Sequence, residues 1–291
     1  MTQPPGTPTD GTTITERDMA GALEVLATAG PDPVTALVLT DEEISGLDGA
    51  DALAMTGSPF LSQEGIDAEA SAIAAVRSLT ARGLIRTDRD DFENEGEMLV
   101  GDGDPSARRV QLELRLAGIL ALRRIPEAMV TVERTLEGGT TRGVYYFFPA
   151  GGVLEEYVTT DGFHQFSVPT SEAVSERVRT LVDPFEVAGD SDGTVESMTL
   201  AEASARADAS EINALSLITS FLDDVGYRAT VIGRPTELQM IDNGPTGPGS
   251  DAPDREVQVL QVSRETVNEL IAGLLPQLEQ TDDDTDAAAS S

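Results

Sequence analysis

The sequence predicts an α+β fold in which an antiparallel meander packs against helices. Four segments rich in strand-forming residues follow one another with only short turns between them, and all three turns contain glycine. The segments are Ala128–Leu136, Thr141–Phe148, Val153–Thr159 and Phe163–Val168. A helical pattern follows at once, from Ser171 to Leu181. We therefore expect one meander sheet that is backed by this helix.

Helix starts elsewhere in the chain are marked by capping boxes, in which a threonine is followed three residues later by a glutamate. Such pairs begin at Thr13, Thr40 and Thr199, and Asp67 is a further N-cap whose helix ends at Gly83. In residues 106–124, apolar and polar residues alternate at first as in a strand, but the length of the segment favours a helix. Residues 210–225 are also predicted to be helical. Strands at 228–232, 237–241 and 256–262 and a helix capped by Ser263 complete the order.

The order of elements divides the chain into two α+β halves, residues 13–186 and 195–280. Each half reads as helix, antiparallel strands and helix, which suggests two pseudo-repeated subdomains. Residues 1–12 are rich in Pro, Gly and Thr, and residues 281–291 form an acidic tail. We expect both ends to be disordered and residues 86–104 to form an acidic loop.

The charge balance argues against several classes of partner. The chain carries 52 acidic residues against 19 basic ones, a net charge of -33. Such a surface repels phosphate backbones and anionic headgroups, so neither nucleic acid nor membrane is expected as a partner. No apolar segment reaches the length of a bilayer span, and the first residues lack the features of a signal peptide. A cytoplasmic location is the resulting expectation.

The residue types needed for many kinds of catalysis are scarce. The chain has no cysteine, and its one histidine is His164. Thiol chemistry, cysteine-ligated metals and sites with two histidine ligands are therefore excluded. His164 is interpreted as a polar residue on a strand rather than as a general base. We expect no catalytic, cofactor or metal site, and hence no enzyme.

Three other patterns have ordinary explanations. Residues 102–113 match an EF-hand loop only in part, because Ala107 stands where the loop needs glycine. Five arginines between Arg108 and Arg124 could bind an acidic partner, but pairing with the chain's own carboxylates is the better interpretation. A winged helix with Ser71–Arg82 as recognition helix would have an acidic wing at Thr87–Glu97, which is the wrong sign for DNA.

Four consecutive aromatic residues are the best candidate for a protein-binding site. In a strand, Tyr145 and Phe147 lie on one face, and Tyr146 and Phe148 lie on the other. If helices cover only one face, the other pair is exposed and can dock a partner. A strand covered on both faces by the protein's own helices is the alternative.

Several segments together resemble the EspG family of actinobacterial type VII (ESX) secretion-associated proteins. The resemblance rests on Thr35–Glu43, on the helix end Ser78–Leu84, on Leu122–Arg134 and on the meander end Asp161–Phe166. It implies a cytosolic, non-enzymatic chaperone that binds helical secretion substrates and keeps them soluble. A DNA- or ligand-responsive regulator and an acidic immunity-type protein remain alternatives, and the oligomeric state stays open.

Overall fold

The computed structural model of the chain describes residues 14–86, 98–99, 109–208, 211–222 and 225–276. The helices in this part are α1 (Glu16–Leu26), α2 (Asp41–Asp48), α3 (Ala68–Ala81), α4 (Leu114–Arg124), α5 (Ser171–Val182), α6 (Leu200–Asp208) and α7 (Arg264–Leu274). The strands are β1 (Leu37–Thr40), β2 (Ile85–Arg86), β3 (Met98–Leu99), β4 (Arg109–Leu112), β5 (Ala128–Leu136), β6 (Gly139–Phe147), β7 (Val153–Val158), β8 (Phe163–Ser167), β9 (Glu196–Thr199), β10 (Ala214–Leu222), β11 (Val225–Gly233), β12 (Leu238–Pro245) and β13 (Glu256–Gln261). Short 3-10 segments occur at Ala50–Leu53 and Pro149–Gly151.

Ten strands form one antiparallel sheet in the order β1-β8-β7-β6-β5-β10-β11-β12-β13-β9, and β2, β4 and β3 form a small separate sheet. The predicted meander is strands β5 to β8, so the α+β fold is confirmed. The two halves of the chain meet where β5 pairs with β10, with Val132 opposite Ile218 and Glu133 opposite Leu217. Each half therefore contributes five neighbouring strands to a continuous sheet.

The two halves of the sheet repeat the same arrangement about the β5–β10 pair. Edge strand β1 runs into α2 at Thr40, which forms a capping box with Glu43. The opposite edge strand β9 runs into α6 at Thr199, which forms a capping box with Glu202. Helix α5 follows β8 as α7 follows β13, and these two helices pack against each other. The topology is thus a pseudo-repeat, while the boundaries at residues 186 and 195 stay predictions.

Helix α1 and one longer segment of the first half have no counterpart in the second half. The longer segment lies between α2 and β5 and contains α3, the small sheet and α4. Helix α4 packs with α1 on one face of the large sheet, which we call the front face. The core there is formed by apolar side chains from both helices and from the sheet, including Ala22, Val25, Leu116, Ile119, Leu120, Val144, Leu154 and Phe166.

Helices α1 and α4 cross at two glycines. A Cβ on Gly118 would lie 2.2 Å from the carbonyl carbon of Gly21, and a Cβ on Gly21 would lie 2.3 Å from the carbonyl oxygen of Leu114. These neighbours are backbone atoms, which cannot rotate aside. The close approach of the two helices therefore requires glycine at both positions.

The opposite face, which we call the back face, is covered by α5 and α7. Their buried residues Val174, Val178, Val267 and Ile271 share one cluster with side chains of the central strands, such as Val130 and Ile218. On the front face of the second half, only α6 contributes a cluster, in which Ala203 packs with Ile232, Ile241, Val257 and Val259. The front face of the second half therefore has a smaller helical cover than that of the first half.

The predicted helix at residues 210–225 is wrong, because this segment contains strand β10 and the start of β11. Ala214, Ser216 and Ile218 alternate as buried residues on the back face, whereas Leu215 on the front face is 36% exposed. Both neighbouring strands, β5 and β11, hydrogen-bond along the whole of β10. Pairing with strands distant in sequence decides the conformation here.

Two further predictions need correction. Residues 106–124 are not one helix, because β4 occupies Arg109–Leu112 and α4 begins only after Glu113, whose carboxylate accepts a hydrogen bond from Leu116 N. The capping box of α1 is formed by Thr15 and Asp18, whereas the sequence predicted one that begins at Thr13 and ends at Glu16. The segments predicted as disordered, 1–12 and 281–291, and most of the acidic loop 86–104 lie outside the described residues.

Candidate functional site

The aromatic strand is buried on both faces. Tyr146 and Phe148 belong to the front cluster beneath α1 and α4, and Tyr145 and Phe147 belong to the back cluster beneath α5 and α7. None of the four side chains is more than 4% exposed. The expectation that one pair is exposed is therefore wrong, since β6 lies where helices cover the sheet on both sides. These residues build the core and offer no surface for a partner.

A different part of the sheet is left open. Over β5, β10 and β11 the front face carries Leu215 and Leu217, which are exposed and half-buried respectively. Neither leucine belongs to any of the three hydrophobic clusters that the described residues form. We call this area the open sheet surface, and its residues are Thr131, Glu133, Leu215, Leu217, Arg228 and Thr230. Sequence reasoning missed it because residues 210–225 were predicted to be helical.

Ion pairs border the open sheet surface. Arg142 holds Glu133 through contacts of 2.7 Å from Nε and 2.5 Å from Nη2, and its Nη1 donates to the Thr56 carbonyl at 2.7 Å. Farther along the sheet, Arg228 Nη1 donates to Asp251 Oδ1 at 2.9 Å. Three neighbouring strands span about 10 Å, which is the diameter of an α-helix with its side chains. The open sheet surface therefore has an apolar centre, charged margins and the width of one helix.

His164 is the centre of a buried charge network on the covered part of the front face. Its Nδ1 lies 2.6 Å from Glu156 Oε1, and its Nε2 lies 2.8 Å from Asp41 Oδ1. All three side chains are fully buried. Burial alone would lower the pKa of His164, but the hydrogen bonds to Asp41 and Glu156 outweigh it and raise the pKa. With a carboxylate at each ring nitrogen, the imidazolium is the form that satisfies both contacts.

A second cation completes the network. Arg123 Nε donates to Glu156 Oε2 at 2.9 Å, and the Tyr146 hydroxyl donates to the same oxygen at 2.6 Å. Burial opposes ionisation of Glu156, but the charge of Arg123 and the hydrogen bond from His164 lower its pKa to about 2. Asp41 Oδ2 accepts from the backbone amides of Phe60 and Leu61. Two cations and two carboxylates thus cancel, and both oxygens of each carboxylate and both ring nitrogens of His164 have partners.

The chemistry of this network is structural. A general base must reach a proton of the substrate, yet His164 is fully buried and both of its nitrogens are already bonded. The network joins the start of α2, strands β6 to β8 and helix α4 into one unit. Sequence reasoning placed His164 on a strand but could not find its partners, because Asp41 is 123 residues away in the chain.

The other sequence candidates do not form a site. Arg123 and Arg124 pair with Glu156 and Asp48, as expected for arginines that bind the chain's own acids. Arg82 at the end of α3 is bound to Glu43, which leaves Arg77 as the one exposed basic residue within α3. The acidic wing at 87–97 and most of the EF-hand-like segment lie outside the described residues. Within the described ranges, no group of three or more His, Asp or Glu residues is arranged to hold a metal ion.

Comparison with known proteins adds no relative, because no family model matches the chain and no curated protein matches it in sequence. The resemblance to EspG proteins therefore stays a prediction. Within the described part of the chain, none of the helices has both the length and the apolar character needed to cross a bilayer.

Proposed function

We propose that this chain is a non-enzymatic cytosolic chaperone that binds a helical segment of a type VII secretion substrate on the open sheet surface. The observation that carries the proposal is the pair Leu215 and Leu217, exposed and half-buried, which lies in the middle of the sheet outside the clusters that the helices cover. The family resemblance supplies the class of partner.

The pseudo-repeat supports a helical occupant. On the front face of the first half, the sheet packs against α1 and α4, which are part of this chain. On the front face of the second half, the α6 cluster reaches Ile232 of β11, and the Leu215–Leu217 part of β10 lies outside both covers. A helix of a partner would fill the open sheet surface as α4 fills the corresponding area of the first half.

The charged groups beside the open sheet surface neutralise each other within the protein. The margins of the open sheet surface carry the Glu133–Arg142 and Arg228–Asp251 pairs, each of which has no net charge. Binding through the leucines is therefore driven mainly by apolar burial, and it depends only weakly on salt.

The proposal is tested by co-expressing the chain with helical type VII secretion substrates of its own genome and measuring the soluble complex by size-exclusion chromatography with light scattering. Leu215→Asp should abolish the complex, because it places a charge at the apolar centre. The matched control is Leu222→Asp, which lies on the same strand but on the back face and is 46% exposed. This control should leave the complex intact.

Two results would count against the proposal. If the unmodified chain forms no complex with any of these substrates, the chaperone function is wrong. If Leu215→Asp binds as well as the unmodified chain while Leu222→Asp is impaired, the binding face is not the open sheet surface.

A further inference from the structure

A polar cleft on the back face has no role in the proposed function. It has a volume of about 290 Å³ and lies between α5 and the segment that leads into edge strand β1. Its floor is formed by side chains of β6, β7 and β8. Its polar lining residues are Thr35, Tyr145, Glu155, Tyr157, Gln165, Ser167, Arg177 and Thr180. Leu181 and Pro33 add apolar walls. The volume is at the lower end of the range for small-molecule sites.

The Tyr145 hydroxyl is the unusual group in this cleft. The residue is fully buried, and although the Glu155 carboxylate lies near its hydroxyl, that contact does not have hydrogen-bond geometry. Burial, together with the nearby negative charge of Glu155, raises the pKa of Tyr145 well above its ordinary value. The hydroxyl thus remains a neutral donor. A buried hydroxyl without a partner costs stability, and a ligand that accepts a hydrogen bond from it would remove that cost.

Gly143 makes room for Leu181 beside this hydroxyl. A Cβ at that position would lie 3.6 Å from the Tyr145 oxygen and 2.6 Å from Leu181 Cδ1. Tyr157 lies directly opposite Gly143 in the neighbouring strand, so the side chains of the two tyrosines lie near each other on the same face. The Tyr157 oxygen accepts a hydrogen bond from Arg134 Nη2 at 3.3 Å, which leaves its own proton free to donate.

Arg177 and Ser167 already bind the carboxylate in the cleft. Glu155 is bound by Arg177 through Nε at 2.9 Å and Nη2 at 2.5 Å, and its Oε2 accepts from the Ser167 hydroxyl at 2.7 Å. The charges of Glu155 and Arg177 cancel. Among the described residues, Arg177 Nη1 and the Gln165 amide have no partner, so the arginine adds a donor and the amide adds a donor and an acceptor. The cleft therefore presents several donors and no uncompensated charge.

We propose that this cleft binds a small organic molecule whose carbonyl or carboxylate oxygen accepts hydrogen bonds from Tyr145 and Tyr157. The apolar body of the ligand packs against Leu181 and Pro33. A compact aromatic acid or amide has the size and the acceptor that the cleft requires. The site is independent of the open sheet surface, because the two lie on opposite faces of the sheet.

The test uses the full chain labelled with ¹³C at the ζ carbon of tyrosine. The chain has four tyrosines and no tryptophan, so each of Tyr145, Tyr146, Tyr157 and Tyr227 gives one resonance that a phenylalanine variant assigns. The probes are benzoate and benzamide, titrated to millimolar concentration. Saturable shifts at Tyr145 and Tyr157, with Tyr146 and Tyr227 unchanged, are the expected result. A response to benzoate alone assigns a carboxylate ligand, and a response to both probes assigns a carbonyl oxygen.

Two variants test whether the Tyr145 hydroxyl itself binds the ligand without disturbing the fold. Tyr145→Phe should weaken binding about five- to tenfold, which is the net value of one hydrogen bond. It should not unfold the protein, because it removes an unpartnered buried hydroxyl. Tyr227→Phe is the control, since Tyr227 donates to Asp242 outside the cleft, and its affinity should be unchanged. Absence of a saturable shift with both probes, or equal affinity in Tyr145→Phe, would overturn the proposal.

Discussion

His164 Nε2 lies 2.8 Å from Asp41 Oδ1, so the strand before helix α5 is tied to the first residue of α2 by a buried ion pair. The other ring nitrogen is 2.6 Å from Glu156 Oε1 on the neighbouring strand. One imidazolium therefore connects three separate elements of the first half. Loss of its proton would turn one of these contacts into a repulsion between a lone pair and a carboxylate.

The raised pKa of His164 predicts that the chain loses stability as the pH becomes alkaline. The folded state holds the proton more tightly than the unfolded state, so the contribution is complete below the unfolded pKa of about 6.5. It is lost as the pH rises through the folded pKa. Urea unfolding between about pH 6 and pH 9 should show a falling free energy of unfolding. The slope should be smaller in His164→Gln, and an equal slope in both proteins would contradict the assignment.

The lowered pKa of Glu156 predicts the opposite behaviour in acid. Its contribution is present above the unfolded pKa of about 4.3 and is lost as the pH falls toward the folded value of about 2. Glu156→Gln leaves Arg123 and His164 without their shared carboxylate, so it should cost about 3 kcal/mol or more at neutral pH.

The control for this prediction is Glu133→Gln. Glu133 is also paired with an arginine, but its side chain is 39% exposed, so the loss should be below about 1 kcal/mol. Chemical denaturation of both variants at neutral pH and at about pH 3 makes the comparison. Equal losses would show that burial of the network does not matter.

The glycine crossing of α1 and α4 predicts opposite effects of one substitution at two helical glycines. Gly118→Ala should destabilise the protein by about 3 kcal/mol, because the new Cβ overlaps backbone atoms of Gly21. Gly273→Ala in α7 should stabilise by about 0.5–1 kcal/mol, since nothing lies within 4 Å of its Cβ position and alanine favours helix. Thermal unfolding of both variants measures the difference. Stabilisation by both would mean that the helices do not cross at this point.

Local chemistry allowed much of the fold to be predicted, and long-range pairing explains the errors. The capping pairs at Thr40 and Thr199 and the meander are written in neighbouring residues, so the sequence alone revealed them. The partners of His164 and the cover over the aromatic strand depend on elements far away in the chain. Whether a face of a strand is covered is decided by the topology, which local patterns do not contain.

The segment 214–222 shows this limit and gives a last prediction. A helix with an apolar stripe through Leu215, Ile218 and Leu222 would bury all three residues, because they lie at intervals of three and four. Strand β10 buries Ile218 completely, whereas Leu215 is 36% and Leu222 is 46% exposed.

Alanine substitutions at Leu215, Ile218 and Leu222 distinguish the strand from the helix. In the strand, Ile218→Ala should cost about 2–5 kcal/mol, whereas Leu215→Ala and Leu222→Ala should each cost about 1 kcal/mol or less. Urea denaturation of the three variants gives the values. Large losses at all three positions would indicate a helix and would remove the open sheet surface, because Leu215 would then be part of the core.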